Sequence, residues 1–291
     1  MTEDTVLVTG ASGHVGAELV AQLAAGGHRV RAMTRRPAQL AVPDGVEVVA
    51  GDADDPASLD AAFAGAARAF VMSAQQVAAD AVPAHVEALA GAAARAGTGR
   101  LVLLSVLSGG EGDDVLAAWW GRAERAVVDA APEWTVLRPG RFMSNALGWA
   151  PQIARGDEIA VPFAHRPATS IDPADIAAVA AAALTDVTGR HAGAVHRLSG
   201  PAALTPAEEL AEVATVLGRP LRAVEPPLEQ VRAGMARGGM SEAAIDAVLA
   251  RTLRSDDGAE VLPTVEHVLG RPARPFAAWA RAHRAELAGA G

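Results

Sequence analysis

The chain has no cysteine and no tyrosine, and all 25 of its basic residues are arginine, so lysine is missing too. Without cysteine there is no disulfide framework, no thiol nucleophile and no thiolate metal site. Without tyrosine and lysine, no phenol and no ammonium group is available for proton transfer anywhere in the protein. The net charge is −9 and no run of basic residues occurs. That excludes nucleic acid and an anionic membrane surface as expected partners. The opening "MTEDTVLVTG" lacks a basic region followed by a long apolar core, so no signal peptide is expected. The longest helical apolar stretch, "IAAVAAAAL" at 176–184, is too short to span a bilayer. A cytoplasmic protein without a membrane partner is the expectation, as monomer or homodimer. No His-Glu-x-x-His motif and no Gly-x-Ser-x-Gly elbow occurs, and no metal is expected. His191 and His196, five apart across a turn, read as a surface pair.

What is present is apolar: 51% of the 291 residues, enough for one large domain or two smaller ones. "TVLVTG" reads as a buried strand, and "GAELVAQLAAGG" as a helix that stops at Gly26-Gly27. Further strands are expected at 29–35, 46–52, 68–73, 100–105 and 134–139. Helices are expected after Asp55-Pro56, where Asp is the N-cap and Pro the first helical residue, and over 80–96 and 116–131. Six alternations with short connections imply an α/β fold, a doubly wound parallel sheet. After about 148 the pattern changes. Residues 151–170 are irregular, and a helix starts at Asp172-Pro173. "AVHRLSG" (194–200) reads as a strand. A helix over 204–221 opens with Thr205 and Glu208 in a capping box. Beyond 226 only helices are expected. The division expected is a dinucleotide-binding domain over 1–148, to which 170–200 returns, and a smaller, mostly helical substrate lobe over 149–169 and 201–291.

In a doubly wound sheet, ligands sit outside the C-terminal strand ends. At the first of these, "VLVTGASGHVGAEL" places Gly10, Gly13 and Gly16 between a strand and a helix. Glycines there serve either sterics alone or a pyrophosphate, which the helix N-terminus attracts. On the second reading Gly10 permits the turn, Gly13 the approach of the anion and Gly16 close packing, while Ser12 adds a hydroxyl. The second strand ends in Thr34, Arg35 and Arg36 where an NAD site carries an acid. Two guanidinium groups suit a 2′-phosphate; the alternative is two solvated surface arginines. Asp52 and Ala53 end the third strand at the adenine position, where Asp52 either meets the exocyclic amine or serves the turn before Asp55.

"VTGASGHVG", "RAMTRRP", "VEVVAGDADDPASL", "GRLVLLSVLSG" and "AERAVVDAAPEWTVLRPGRFMSN", in that order, resemble the NmrA-like branch of the atypical short-chain dehydrogenase/reductases. The tail "VHRLSGPAALTPAEELAEVATVLGRPL" extends the resemblance to about residues 4–225. The resemblance implies an NADP-binding Rossmann domain with a small C-terminal substrate lobe. It implies that Gly10, Ser12, Gly13, His14, Val15 and Gly16 bind the pyrophosphate, that Arg35 meets the 2′-phosphate, and that Asp52 and Ala53 lie by the adenine. It further implies that Met72, Ser73, Ser105 and Val106 flank the nicotinamide, and that Phe142 and Asn145 border the pocket. Core packing and a helix cap are the alternatives for those last two.

The chain departs from the wider superfamily where the chemistry sits. The usual Tyr-x-x-x-Lys pair cannot exist, and Trp120 occupies the position, four before Glu124, where some relatives carry a basic residue or His. Trp119, Trp120, Phe142 and Trp149 are candidates for a flat apolar pocket or for the core. Ser105 is expected to hydrogen-bond the acceptor oxygen. His85 and His165 are the histidines nearest the cleft, His165 in a proline-rich loop able to cover it, or both lie simply on the surface. The function expected is NADPH-dependent reduction of a small apolar or conjugated acceptor of the quinone, enone or imine class. Family members that only sense dinucleotide supply a second reading, and a non-redox pocket protein for a natural-product intermediate a third.

Overall fold

The computed structural model describes residues 4–73, 82–254 and 257–289, and the chain forms two compact units. The first comprises 1–139 and 176–197, the second 140–175 and 198–291.

The first unit is built on strands β1 (Thr5–Val8), β2 (Val30–Thr34), β3 (Glu47–Ala50), β4 (Ala66–Met72), β5 (Arg100–Leu104) and β6 (Glu133–Pro139). Neighbours along the order β3-β2-β1-β4-β5-β6 pair in parallel. β8 (Ala194–Leu198) adds a further edge beside β6. The order reverses between β1 and β4, which creates the crevice of a doubly wound sheet. β1 is buried throughout, and Leu101, Leu103 and Leu137 of the sheet are buried, as are Leu19, Leu23, Phe63 and Val127 of the helices.

Helices α1 (His14–Ala25), α2 (Pro56–Phe63), α3 (Ala84–Ala96) and α4 (Val115–Ala130) connect the strands. Asp55 caps α2 through the N–H groups of Ala57 and Ser58, with Pro56 in the first turn. α3 begins at Ala84 and not at 80; residues 80 and 81 lie outside the described residues. Asp114 caps α4.

The chain leaves the first unit at Pro139 rather than at 148. The returning stretch is correspondingly 176–197 rather than 170–200. It carries most of α6 (Pro173–Thr185). Arg68 and Arg100 donate to the carbonyls of Ala183, Leu184 and Asp186 at the end of that helix, where the dipole favours cations. The first residues of α6 belong to the second unit. There Asp172 and Asp175, both buried, pair with Arg274 and Arg271.

The second unit is mostly helical. It includes α5 (Ala150–Ile153), α7 (Pro206–Leu217), α8 (Leu228–Arg237), α9 (Glu242–Arg254), α10 (Thr264–Leu269), α11 (Phe276–Ala282) and α12 (Arg284–Leu287). Its core joins Met143, Ile153, Ile159, Leu210, Val213, Phe276 and Trp279. The Thr205–Glu208 capping box opens α7, which ends at Leu217 and not at 221, because Gly218 takes a left-handed conformation. Two short strands escape the pattern of the sequence: β7 (Glu158–Ala160), inside the stretch read as irregular, and β9 (Arg222–Val224), which pair in parallel. Three residues are too few for alternation to register.

His191 and His196 do not form a surface pair. His191 Nδ1 lies 2.9 Å from His196 Nε2, the rings meet edge-on, and His191 is buried. Burial pushes both imidazoles below their ordinary value, with the neighbouring His191 adding to the effect at His196. Folded rings with depressed pKa values bind fewer protons than unfolded ones. Their contribution to stability is therefore complete above about pH 6.5 and is lost as pH falls below it. Denaturant midpoints measured from pH 7.5 to 5.5 are expected to decline, and His196→Gln is expected to flatten that decline. A slope unchanged by the substitution would assign the acid sensitivity elsewhere.

Candidate functional site

The turn after β1 explains each glycine separately. Gly10 has φ +63, and a Cβ there would meet the Met72 sulfur at 2.8 Å. Its carbonyl accepts the Gly13 N–H at 2.9 Å, which closes the turn. Gly16 sits in α1 so close to the turn that a Cβ would lie 2.2 Å from the Gly10 carbonyl oxygen. Gly13 differs from both. It is extended, at φ −89 and ψ 165, and its Cβ would meet nothing nearer than 3.4 Å. Neither a close contact nor a positive φ accounts for glycine at this position.

Gly13 is the N-cap of α1, makes no side-chain cap, and no acid occupies the first turn. The first-turn N–H groups of His14, Val15 and Gly16 have no partner within the helix. An anion is the complement of that end. Ser12 and His14 are exposed, whereas the Val15 side chain is in the core, so Val15 can offer a ligand only its backbone. A bare, uncapped helix start, open at Gly13, fits a dinucleotide pyrophosphate.

At the ends of β2 and β3, Arg35 and Arg36 are exposed and form no ion pair among the described residues. The Thr34 hydroxyl accepts the Arg36 N–H. Asp52 serves the turn: its carboxylate accepts the Asp54 N–H, and its own N–H goes to Ser58 Oγ. Ala53 is half-buried beside it. His85, near the start of α3, joins this edge. Burial lowers its pKa against the opposing effects of a bond to the Met72 backbone and of Asp54 and Asp52, while Arg35 lowers it further.

At the ends of β4 and β5 the hydroxyls are already engaged. The Met72 N–H donates to Thr9 Oγ1 at 2.8 Å, and the buried Ser73 hydroxyl donates to the Leu104 carbonyl at 2.6 Å. Val106 is half-buried. Ser105 is buried and donates its hydroxyl to Glu124 Oε1 on α4, at 2.6 Å. Glu124 in turn accepts a fork from Arg138 on β6, Nε to Oε1 at 2.9 Å and Nη2 to Oε2 at 2.7 Å. Arg138 Nη1 reaches Glu111 at 2.6 Å.

A hydroxyl has one proton, and here it is donated to a carboxylate, so the expected bond from Ser105 to an acceptor oxygen would require that proton to turn away from Glu124. The expectation is corrected for Trp120. It is buried and packed edge-on against Trp119, ring centroids 4.6 Å apart, which makes it a core side chain. Glu124 and Arg138 were the residues the sequence left unassigned. One signal for them was present: Arg138 is a charge that follows the apolar run Val136-Leu137 near the end of β6, and such a charge needs a partner.

The remaining candidates belong to the second unit. Phe142 is half-buried and bridges to Ile171 through its backbone. Asn145 is exposed within a 3-10 turn (Met143–Trp149) and is no cap. His165 is exposed in a tight turn that Phe163 enters at φ 54, with the Arg166 N–H bonded back to the Phe163 carbonyl. Trp149 is half-buried against the core of this unit. Among the described residues no group of three or more potential metal ligands occurs, and no helix is long and apolar enough to cross a membrane.

The sheet order with an uncapped glycine turn at its reversal defines a dinucleotide-binding oxidoreductase fold. Residues 10–187 match the model of the NAD(P)H-binding family, and the chain belongs to that family, in its NmrA-like, atypical short-chain dehydrogenase/reductase form. It is an oxidoreductase. The chain is 41% identical to the (4-alkanoyl-5-oxo-2,5-dihydrofuran-3-yl)methyl phosphate reductase of Streptomyces griseus, over 96% of this chain and 97% of that one. It is 35% identical to the NAD(P)H azoreductase of Xenophilus azovorans, over 98% and 100%. The structure of Citrobacter sp. triphenylmethane reductase complexed with NADP(H) superposes with a TM-score of 0.75 at 20% identity, covering 96% of this chain and 99% of that one.

Proposed function

We propose that the chain is an NADPH-dependent reductase of a small conjugated acceptor, of the enone, quinone or imine class. The observation that carries this reading is the spent proton of Ser105. At the end of β5 the one hydroxyl is bound to an ion-paired carboxylate, Trp120 is in the core, and the chain has neither tyrosine nor lysine. When bound, the dinucleotide supplies a hydride. Reduction of a simple ketone also needs a proton for the developing alkoxide. A conjugated acceptor spreads the charge, and water protonates it afterwards. The relatives are in keeping with this: the Streptomyces enzyme's name describes a ring alkene conjugated with two carbonyl groups, and the Xenophilus enzyme's an azo compound.

On this reading the N–H groups of His14, Val15 and Gly16 bind the pyrophosphate over the open face of Gly13. Arg35 and Arg36 take the 2′-phosphate, and Asp52 and Ala53 border the adenine. The test is NADPH oxidation with conjugated acceptors, beside calorimetric titration of NADPH and NADH. Arg35→Ala is expected to weaken NADPH by about tenfold or more, the worth of one charge-assisted hydrogen bond, and to leave NADH unchanged. Equal affinities for the two dinucleotides, indifferent to Arg35, would sink the phosphate assignment.

A further inference from the structure

The polarity of Ser105 is set by groups that have no alternative. Its hydroxyl has one proton and two lone pairs. The proton goes to Glu124 Oε1, and an ion-paired carboxylate has none to return. Glu124 and Arg138 are nearly enclosed, their side chains 12% and 13% exposed. Arg138 is itself confined. Glu111 holds its third nitrogen, and a Cβ on Gly109, in the loop after β5, would meet its Nε at 2.2 Å. The same loop packs Gly110 against Gly121 of α4, where a Cβ on Gly110 would meet the Gly121 Cα at 2.6 Å. Turning Ser105 to donate elsewhere would strip a donor from a mostly buried carboxylate, a costly exchange. What Ser105 has left to offer is lone pairs.

We infer that Ser105 receives the hydrogen bond from the bound ligand, with Glu124 and Arg138 as the positioning residues that impose this polarity, and that the donor is the carboxamide N–H of the nicotinamide. The inference rests on the NADP(H) reading above. A dinucleotide straddles the reversal between β1 and β4. With Arg35 marking the adenosine half on the β2 side, the nicotinamide half falls over β4 and β5, where Ser105 lies. Enone and quinone acceptors bring only acceptor oxygens to such a site. The carboxamide brings an N–H.

The experiment compares NADP+ with its 3-acetylpyridine analogue, which keeps the carbonyl and lacks the N–H. Both are titrated calorimetrically into the wild-type chain, Ser105→Ala, Ser105→Thr and Glu124→Gln, with circular dichroism as the check on folding. The wild type is expected to prefer NADP+ by about tenfold, the ratio one hydrogen bond gives. Ser105→Thr keeps the preference, and Ser105→Ala loses it through weaker NADP+ binding alone. Glu124→Gln offers Ser105 an amide donor, frees the serine proton and narrows the ratio. A merely structural role for Glu124 would weaken both ligands alike, and that result overturns its positioning role. A preference that survives Ser105→Ala, or a wild type that binds both ligands equally, overturns the inference while the NADP(H) reading stands. A wild type that binds no NADP+ overturns both.

Discussion

Gly13→Val is expected to weaken NADPH binding by roughly a hundredfold, the loss of about two charge-assisted hydrogen bonds, while the protein stays folded. The backbone at Gly13 is extended, in a region every residue adopts, and its Cβ would meet only ordinary van der Waals distances. A Cβ at this position is therefore accommodated by the free protein. What it fills is the space over the uncapped helix start, where a pyrophosphate has to approach the backbone. Gly16→Val provides the contrast. A Cβ there would overlap the Gly10 carbonyl at 2.2 Å, so the helix must shift away from the turn. Overpacking of that kind costs about 1–3 kcal/mol or more, and its signature is a lowered melting temperature. Calorimetric titration and thermal melts of the two variants separate the roles. Normal NADPH binding by Gly13→Val would make the loop a steric junction and nothing more.

The second large effect concerns the acceptor. NADPH oxidation with quinones, conjugated enones or imines is expected to exceed that with comparable simple ketones by about 10²–10⁴-fold, the contribution a positioned acid makes to proton transfer. Among the described residues, the serine hydroxyls at the ends of β4 and β5 are already engaged. Ser73 and Ser105 donate to a carbonyl and a carboxylate, and Trp120 is packed against Trp119. His85 and His165 are the candidate histidines the sequence offers, so the panel is run on His85→Ala and His165→Ala as well. Fast reduction of simple ketones that disappears with either substitution would supply the missing donor and overturn the preference. Tight NADPH binding with no turnover of any acceptor would favour a dinucleotide sensor.

The sheet was legible because its signals are local. β1 is four consecutive buried residues ahead of a glycine, Asp55-Pro56 and Thr205–Glu208 are capping chemistry, and each lies where the sequence places it. The errors fall where locality ends. β7 and β9 have three residues each and pair across about sixty positions, so neither carries a period of its own. His191 and His196 look like turn residues until the fold of the edge strand brings Nδ1 of one to Nε2 of the other. The boundary at Pro139 reflects contacts between distant segments, which no local pattern announces.

By itself the sequence determined what chemistry is missing and at which strand end the glycines gather. The absence of tyrosine, lysine and cysteine is a property of composition, and no fold can restore those groups. The spacing of Gly10, Gly13 and Gly16 marks a tight junction between a strand and a helix. Only the tertiary structure decided what the remaining groups can do. Ser105, Glu124 and Arg138 come from a strand end, the middle of a helix and the next strand, up to 33 residues apart. A hydroxyl's direction belongs to its partners, and those partners meet only when α4 packs on the sheet. That packing commits the Ser105 proton to Glu124.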